Sequence, residues 1–183
     1  PGRADVRHTA HIHKAGKRAN GQGLTKYTHG KGTKQNRDAI AARYNKRYGT
    51  HLVTDNVIAG SGGKQELFNL MLSLVTDGDE VIIPAPYWVS FPDQVAFAGG
   101  KPVFAQTEES AHHRPTFEII ERVATKKTRG VISNSPCNPT GAVLEETELR
   151  KIIGGSLSPP PLLPAAQTAE LAAPAPTTPL SAI

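Results

Sequence analysis

A three-layer α/β domain followed by a disordered Pro/Ala-rich tail is the fold predicted for this 183-residue chain. Three observations predict it. Up to Ile153, segments with apolar residues at helical spacing alternate with short β-branched runs, the pattern of helices packed on a mixed, mostly parallel sheet. The run Val81 to Ile83 is apolar throughout, as a strand covered on both faces should be. From Gly154 onward the composition changes: seven of the fifteen prolines fall there, no Lys or Arg does, and Glu170 is the sole acid. Pro159, Pro160 and Pro161 break any helix, and the Ala/Pro/Thr mixture offers too little large apolar surface to offset the entropy of ordering.

Taken in order, Thr33 to Tyr48 predicts an exposed helix closed by Gly49. Val57 to Ala59 predicts a short strand. Gln65 to Val75 places Leu67, Phe68, Met71, Leu74 and Val75 on one helical face, and Asp77-Gly78-Asp79 turns the chain. Val81 to Ile83 is the second strand. Val89 to Phe97 can form a helix because Pro92 falls in its first turn. Pro102 to Ala105 is a third strand, expected at a sheet edge. Thr116 is placed to cap a helix running through Ala124, with Glu118 in its first turn; Gly130 to Ser133 is a fourth strand, and Glu145 to Ile153 another helix. The resulting division is a basic segment at 1–20, the α/β portion at 21–153 and the tail at 154–183.

Charge is unevenly spread. Pro1 to Thr50 carries twelve Lys or Arg against two Asp or Glu, although the whole chain is only +5. Such an excess can mark a nucleic-acid surface, but only Tyr27, Tyr44 and Tyr48 supply aromatic character there and no recognition motif accompanies it, so solvated basic helices are the favoured reading. No apolar stretch approaches the length of a membrane helix, and Pro1 to Arg18 is too polar for a secretory signal. A cytoplasmic protein is the expectation. The single Cys137 cannot form an internal disulfide, and no cysteine-based metal site exists.

Three segments carry candidate chemistry, each at the end of an expected strand. In Ala59-Gly60-Ser61-Gly62-Gly63-Lys64-Gln65 consecutive small residues allow backbone N–H groups to converge at a helix start, a geometry that binds phosphate and that also serves a plain tight turn. It matches neither G-x-G-x-x-G nor G-x-x-x-x-G-K-[ST]. In Ile83-Pro84-Ala85-Pro86-Tyr87-Trp88 the only tryptophan of the chain either stacks on a planar ligand or anchors the next helix. In Ser133-Asn134-Ser135-Pro136-Cys137-Asn138-Pro139-Thr140-Gly141, Pro139 keeps Asn138 out of the helical region and Gly141 permits a tight turn, so the Asn138 amide is presented to the crevice; a generic turn uses the same residue types.

Together the three segments resemble the class I aminotransferases of the fold-type I pyridoxal-phosphate enzymes, most closely the bacterial-type aspartate aminotransferases. The likeness runs from Gly21 to Ile152 and includes the typical pieces P-A-P-Y-W-V-S-F-P and A-G-G-K-P-V-F. It implies an incomplete three-layer large domain, with Gly62 and Gly63 as backbone donors to the cofactor phosphate, Trp88 stacked on the pyridine ring and Asn138 bonded to its phenolic oxygen. Tyr27 of Lys26-Tyr27-Thr28 takes the place of a tyrosine that reaches the partner subunit's cofactor, which implies a homodimer. In the family's early G-E-P-D-F-D-T-P motif beside the substrate, Gly2 of Gly2-Arg3-Ala4-Asp5-Val6-Arg7-His8-Thr9 takes the place of the substrate-side glycine, and most of its neighbours do not match. The resemblance also implies amino-group transfer from an amino acid such as aspartate to a 2-oxo acid.

The family's aspartate for the pyridine nitrogen, its Schiff-base lysine and its carboxylate-binding arginines have no counterpart up to Ile153. The catalytic set is therefore expected to be absent from these 183 residues, with pyridoxal phosphate held weakly or not at all and turnover lost. Other expectations are a non-catalytic fragment that pairs with a full-length homologue, and a basic nucleic-acid-binding protein. From the same resemblance the Asn138–Pro139 peptide bond is expected to be cis, and Ala85–Pro86 is a second candidate.

Overall fold

The computed structural model describes residues 8–155. Gly2 and the tail from 156 onward lie outside the described residues. Six α-helices are present among them: α1 (Ala10–Gly21), α2 (Lys34–Tyr48), α3 (Gly63–Leu74), α4 (Ser90–Phe97), α5 (Phe117–Val123) and α6 (Glu146–Gly154). Three strands, β1 (Glu80–Ala85), β2 (Lys101–Gln106) and β3 (Thr128–Val131), form a sheet of order β2-β1-β3. Both pairings are parallel, with Val81 opposite Pro102 on one side and Gly130 on the other.

The alternation of side chains along β1 divides the core. Val81 and Ile83 join Met71 of α3, Val75 just after it, and Phe91 and Val95 of α4 on one face. Ile82 points the other way, toward Ala105, Ile120 and Ile152, where α5 and α6 cover the sheet. Successive strand residues face opposite sides, so a continuous apolar run is what a central strand between two helical layers requires. Each fully buried Val or Ile contributes about 1.5–3 kcal/mol relative to exposure, and β1 supplies three in succession, Val81, Ile82 and Ile83. β2 is an edge strand with a largely exposed face, as expected.

Local signals explain most boundaries. The Thr33 hydroxyl accepts the Asn36 N–H at the start of α2, and Gly49 closes that helix at φ 70°. Pro92 does fall in the first turn of α4. Thr116 precedes α5, yet its side chain makes no capping bond. α1 buries none of its residues, consistent with a solvated basic helix. α2 is less exposed than anticipated, because Arg37 and Ala41 are buried and the Arg37 guanidinium donates to the Thr54 carbonyl at 2.8 Å.

One expected strand is absent. Val57 to Ala59 has no ladder: the Val57 N–H goes to the Thr54 carbonyl and the Ala59 N–H to the Lys31 carbonyl. Val57 is buried there as a loop anchor. The last strand also differs in extent, since β3 begins at Thr128 and ends at Val131, although the Ile132 N–H still reaches the Ile82 carbonyl at 2.9 Å.

Candidate functional site

The segment before α3 is shaped by its glycines. Gly62 stands at φ 95° and ψ 160°, a conformation open essentially to glycine alone, and its carbonyl accepts from the N–H groups of Gln65 and Glu66. The Ser61 N–H is taken by the Gln65 side chain at 2.6 Å. The N–H groups of Gly62, Gly63 and Lys64 have no hydrogen-bond partner among the described residues. A helix start with free N–H donors also carries the positive end of the helix dipole, so it suits an anionic group.

Trp88 lies in the loop between β1 and α4. It is half-buried against the α3–α4 side of the core, and the Phe91 ring meets it edge-on with centroids 5.4 Å apart. The Lys64 ammonium sits 4.8 Å from the centre of the indole ring. A cation at that distance is attracted to the ring's electron-rich face. Thus the glycine turn and the tryptophan, 24 residues apart in the chain, are joined through the side chain of the residue that follows the turn. Gln94 of α4 adds a second link by donating its amide N–H to the Lys64 carbonyl at 2.9 Å.

The loop after β3 is braced by its own polar groups. The Gly141 N–H bonds the Cys137 carbonyl, the Cys137 N–H bonds the Ala142 carbonyl, and the Asn138 N–H bonds the Asn134 side-chain oxygen at 2.8 Å. The Cys137 thiol donates to the Pro86 carbonyl at 3.4 Å, tying this loop to the one that bears Trp88. The peptide bonds Asn138–Pro139 and Ala85–Pro86 are cis, as is Ser135–Pro136. Asn138 is exposed, and its side chain has no partner among the described residues.

Tyr27 stands apart from these groups, fully exposed in the segment between α1 and α2. That segment nevertheless ends beside the glycine turn, where Gly32 packs on Ala59. A cleft also opens at the carboxyl ends of β1 and β3, lined by Tyr87, Thr107, His113, Asn134 and Cys137. None of Gly62, Gly63, Trp88 or Asn138 lines it, so it lies beside the expected site rather than within it.

Among the described residues no group of three or more His, Cys, Asp or Glu could hold a metal ion, and no helix is long and apolar enough to cross a membrane. The groups on hand are three free backbone amides, an aromatic face and an exposed carboxamide. This set fits a phosphorylated planar cofactor.

The comparisons with known proteins point the same way. The probable aspartate/prephenate aminotransferase of Thermus aquaticus is 41% identical over 151 residues, covering 82% of this chain and 39% of that protein. The aspartate/prephenate aminotransferase of Nitrosomonas europaea is 40% identical, with 82% and 38% coverage. Among solved structures, the aspartate aminotransferase of Thermus thermophilus with maleate superposes with a TM-score of 0.80 at 38% identity, over 84% of this chain and 40% of that one. An aromatic aminotransferase from Pyrococcus horikoshii gives the same TM-score at 36% identity. The chain spans about 40% of the length of the relatives it matches. The family model for aminotransferase class I and II matches residues 3–154, and the chain belongs to that family as part of its α/β large domain.

Proposed function

We propose that residues 8–155 form the cofactor-gripping part of a pyridoxal-phosphate-dependent aminotransferase, whose whole-protein reaction moves an amino group from an amino acid such as aspartate to a 2-oxo acid. The observation that carries this is the run of three unpartnered N–H groups at Gly62, Gly63 and Lys64 at the start of α3, with the Lys64 ammonium over the Trp88 ring. The amides receive the phosphate. Trp88 offers its face to the pyridine ring, and Asn138 donates to the phenolic oxygen. When bound, pyridoxal phosphate supplies the electron sink for chemistry at the amino acid's α-carbon. These residues bind and orient it; none holds or moves the reacting proton.

The 183-residue chain by itself binds the cofactor weakly and does not turn over, because no lysine in it matches the one that the family uses for covalent attachment. Phosphate contacts and stacking are then the whole of the grip. Tyr27 is free to reach a second subunit, which supports a homodimer or pairing with a homologous subunit.

Titration of Trp88 fluorescence with pyridoxal phosphate tests the grip, and an aspartate plus 2-oxoglutarate assay on the same sample tests turnover. Quenching without turnover is expected. Borohydride reduction followed by peptide mapping should give scattered minor adducts, for example at Lys14, Lys17 or Lys126. A single stoichiometric lysine adduct together with turnover would refute the inactive reading, and no quenching at all would refute the site.

A further inference from the structure

We propose that Gln94 is a positioning residue that sets the spacing between the phosphate-binding turn and the Trp88 ring; the inference rests on the cofactor site proposed above. Gln94 is 7% exposed on the buried face of α4, between the apolar Phe91 and Val95. Its Nε2 donates to the Lys64 carbonyl across 30 residues of sequence, whereas its Oε1 is buried without a partner. Exchanging the two amide atoms would set an oxygen against the Lys64 carbonyl, so the acceptor dictates the orientation. A methionine of similar length would fill the same space and leave no orphaned oxygen. The buried amide therefore carries a desolvation cost, and what it makes in return is one contact.

That contact is placed where it matters for a ligand with two ends. Lys64 follows directly on Gly62 and Gly63, and its ammonium lies over Trp88, while Trp88 stands two residues before the start of the helix that carries Gln94. Lys64 therefore links three parts of the site, its backbone continuing the turn, its carbonyl accepting from Gln94 and its ammonium lying over Trp88. The glycines impose little conformational preference of their own, so the turn needs an outside hold to keep its amides at a fixed distance from the ring. A molecule bearing both a phosphate and an aromatic ring gains from this spacing because its second contact becomes intramolecular; inorganic phosphate does not.

The test compares the wild-type chain with Gln94→Met and Gln94→Glu. In Gln94→Met the dissociation constant for pyridoxal phosphate should rise about five- to tenfold, while that for inorganic phosphate stays within about a factor of two. Gln94→Glu should be at least as impaired, since a carboxylate faces the Lys64 carbonyl without a donor. A readout without ligand accompanies this. Lys64→Ala should lower iodide quenching of Trp88 relative to acrylamide quenching, because the ammonium draws the anion to the ring, and Gln94→Met should move the ratio the same way. Equal losses for both ligands, with a lowered thermal midpoint, would mark Gln94 as merely structural and overturn the proposal. A wild-type quenching ratio in Gln94→Met would overturn it too. If the wild-type chain binds no pyridoxal phosphate, the cofactor reading fails, and the iodide comparison decides on Gln94.

Discussion

Gly62 and Gly63 are neighbours with opposite expected responses to the same substitution. An added Cβ meets nothing within 4 Å at either position, so crowding does not distinguish them. Backbone conformation does. Gly62 stands at φ 95°, ψ 160°, a region that costs a residue with a Cβ about 1–3 kcal/mol, whereas Gly63 is the first residue of α3 and has no positive φ. Gly62→Ala must either carry that strain, lowering the unfolding free energy by the same amount, or relax the turn and misplace its amides. In the second case the affinity for inorganic phosphate falls about five- to 150-fold, the same energy expressed as a dissociation constant. Gly63→Ala restricts the unfolded chain at a compatible position and should stabilise by about 0.4–1 kcal/mol with phosphate binding intact. Urea unfolding and calorimetric phosphate titration on the two variants read both quantities. Indistinguishable behaviour of the pair would refute the assignment of the turn geometry to Gly62.

Further outcomes follow from the core and from the helices that cover it. Ile82→Ala removes a side chain with no solvent exposure from the central strand and should cost about 2–5 kcal/mol in urea unfolding; a loss below about 1 kcal/mol would contradict the two-faced burial of β1. Gly100→Ala would bring a Cβ to 2.4 Å from Val75 Cγ1, and the resulting overpacking should lower stability by about 1–3 kcal/mol, with a neutral thermal shift as the contrary result. The Lys151 ammonium, then the Phe117 N–H, hold Glu148 below its ordinary value of 4.5, and Glu148 in turn holds Lys151 above 10.5. A depressed carboxylate stabilises above its unfolded value and fails as pH falls through its folded one; a raised ammonium stabilises below its unfolded value and fails as pH rises through its folded one. The link between α5 and α6 is thus whole between about 4.5 and 10.5, and Glu148→Gln should flatten the acid limb of the thermal midpoint against pH. An unchanged acid limb would remove the link.

Elements whose cause is local were legible in the residues. Thr33 and Gly49 bound α2 through a cap and a left-handed closure, and the apolar run at Val81 to Ile83 is a central strand because both of its faces are covered. Where partners come from elsewhere in the chain, the residues alone were ambiguous. Val57 and Ile58 have the branching of a strand, but their neighbour Ala59 spends its N–H on a loop carbonyl, so no ladder forms. The glycine turn, Trp88 and Asn138 were marked as candidates by their places after apolar runs, and their expected roles came from the family resemblance. The contacts from Lys64 to Trp88 and from Gln94 to the Lys64 carbonyl were not, since a lysine near a helix start and a glutamine within a helix carry no pattern that marks them.

The sheet order also governs how the chain behaves while it is being made. Among the described residues β1 is the central strand, yet it precedes both of its neighbours, β2 and β3, in the chain. At about 5–20 residues per second, the interval between Ala85 and Val131 lasts roughly two to nine seconds. Throughout it the stretch Val81-Ile82-Ile83 has at least one strand edge open, and its other face stays uncovered until α5 has been made. Ribosome-bound chains stalled within this interval should therefore recruit hydrophobic-segment chaperones at β1, and chains stalled after α6 has emerged should release them.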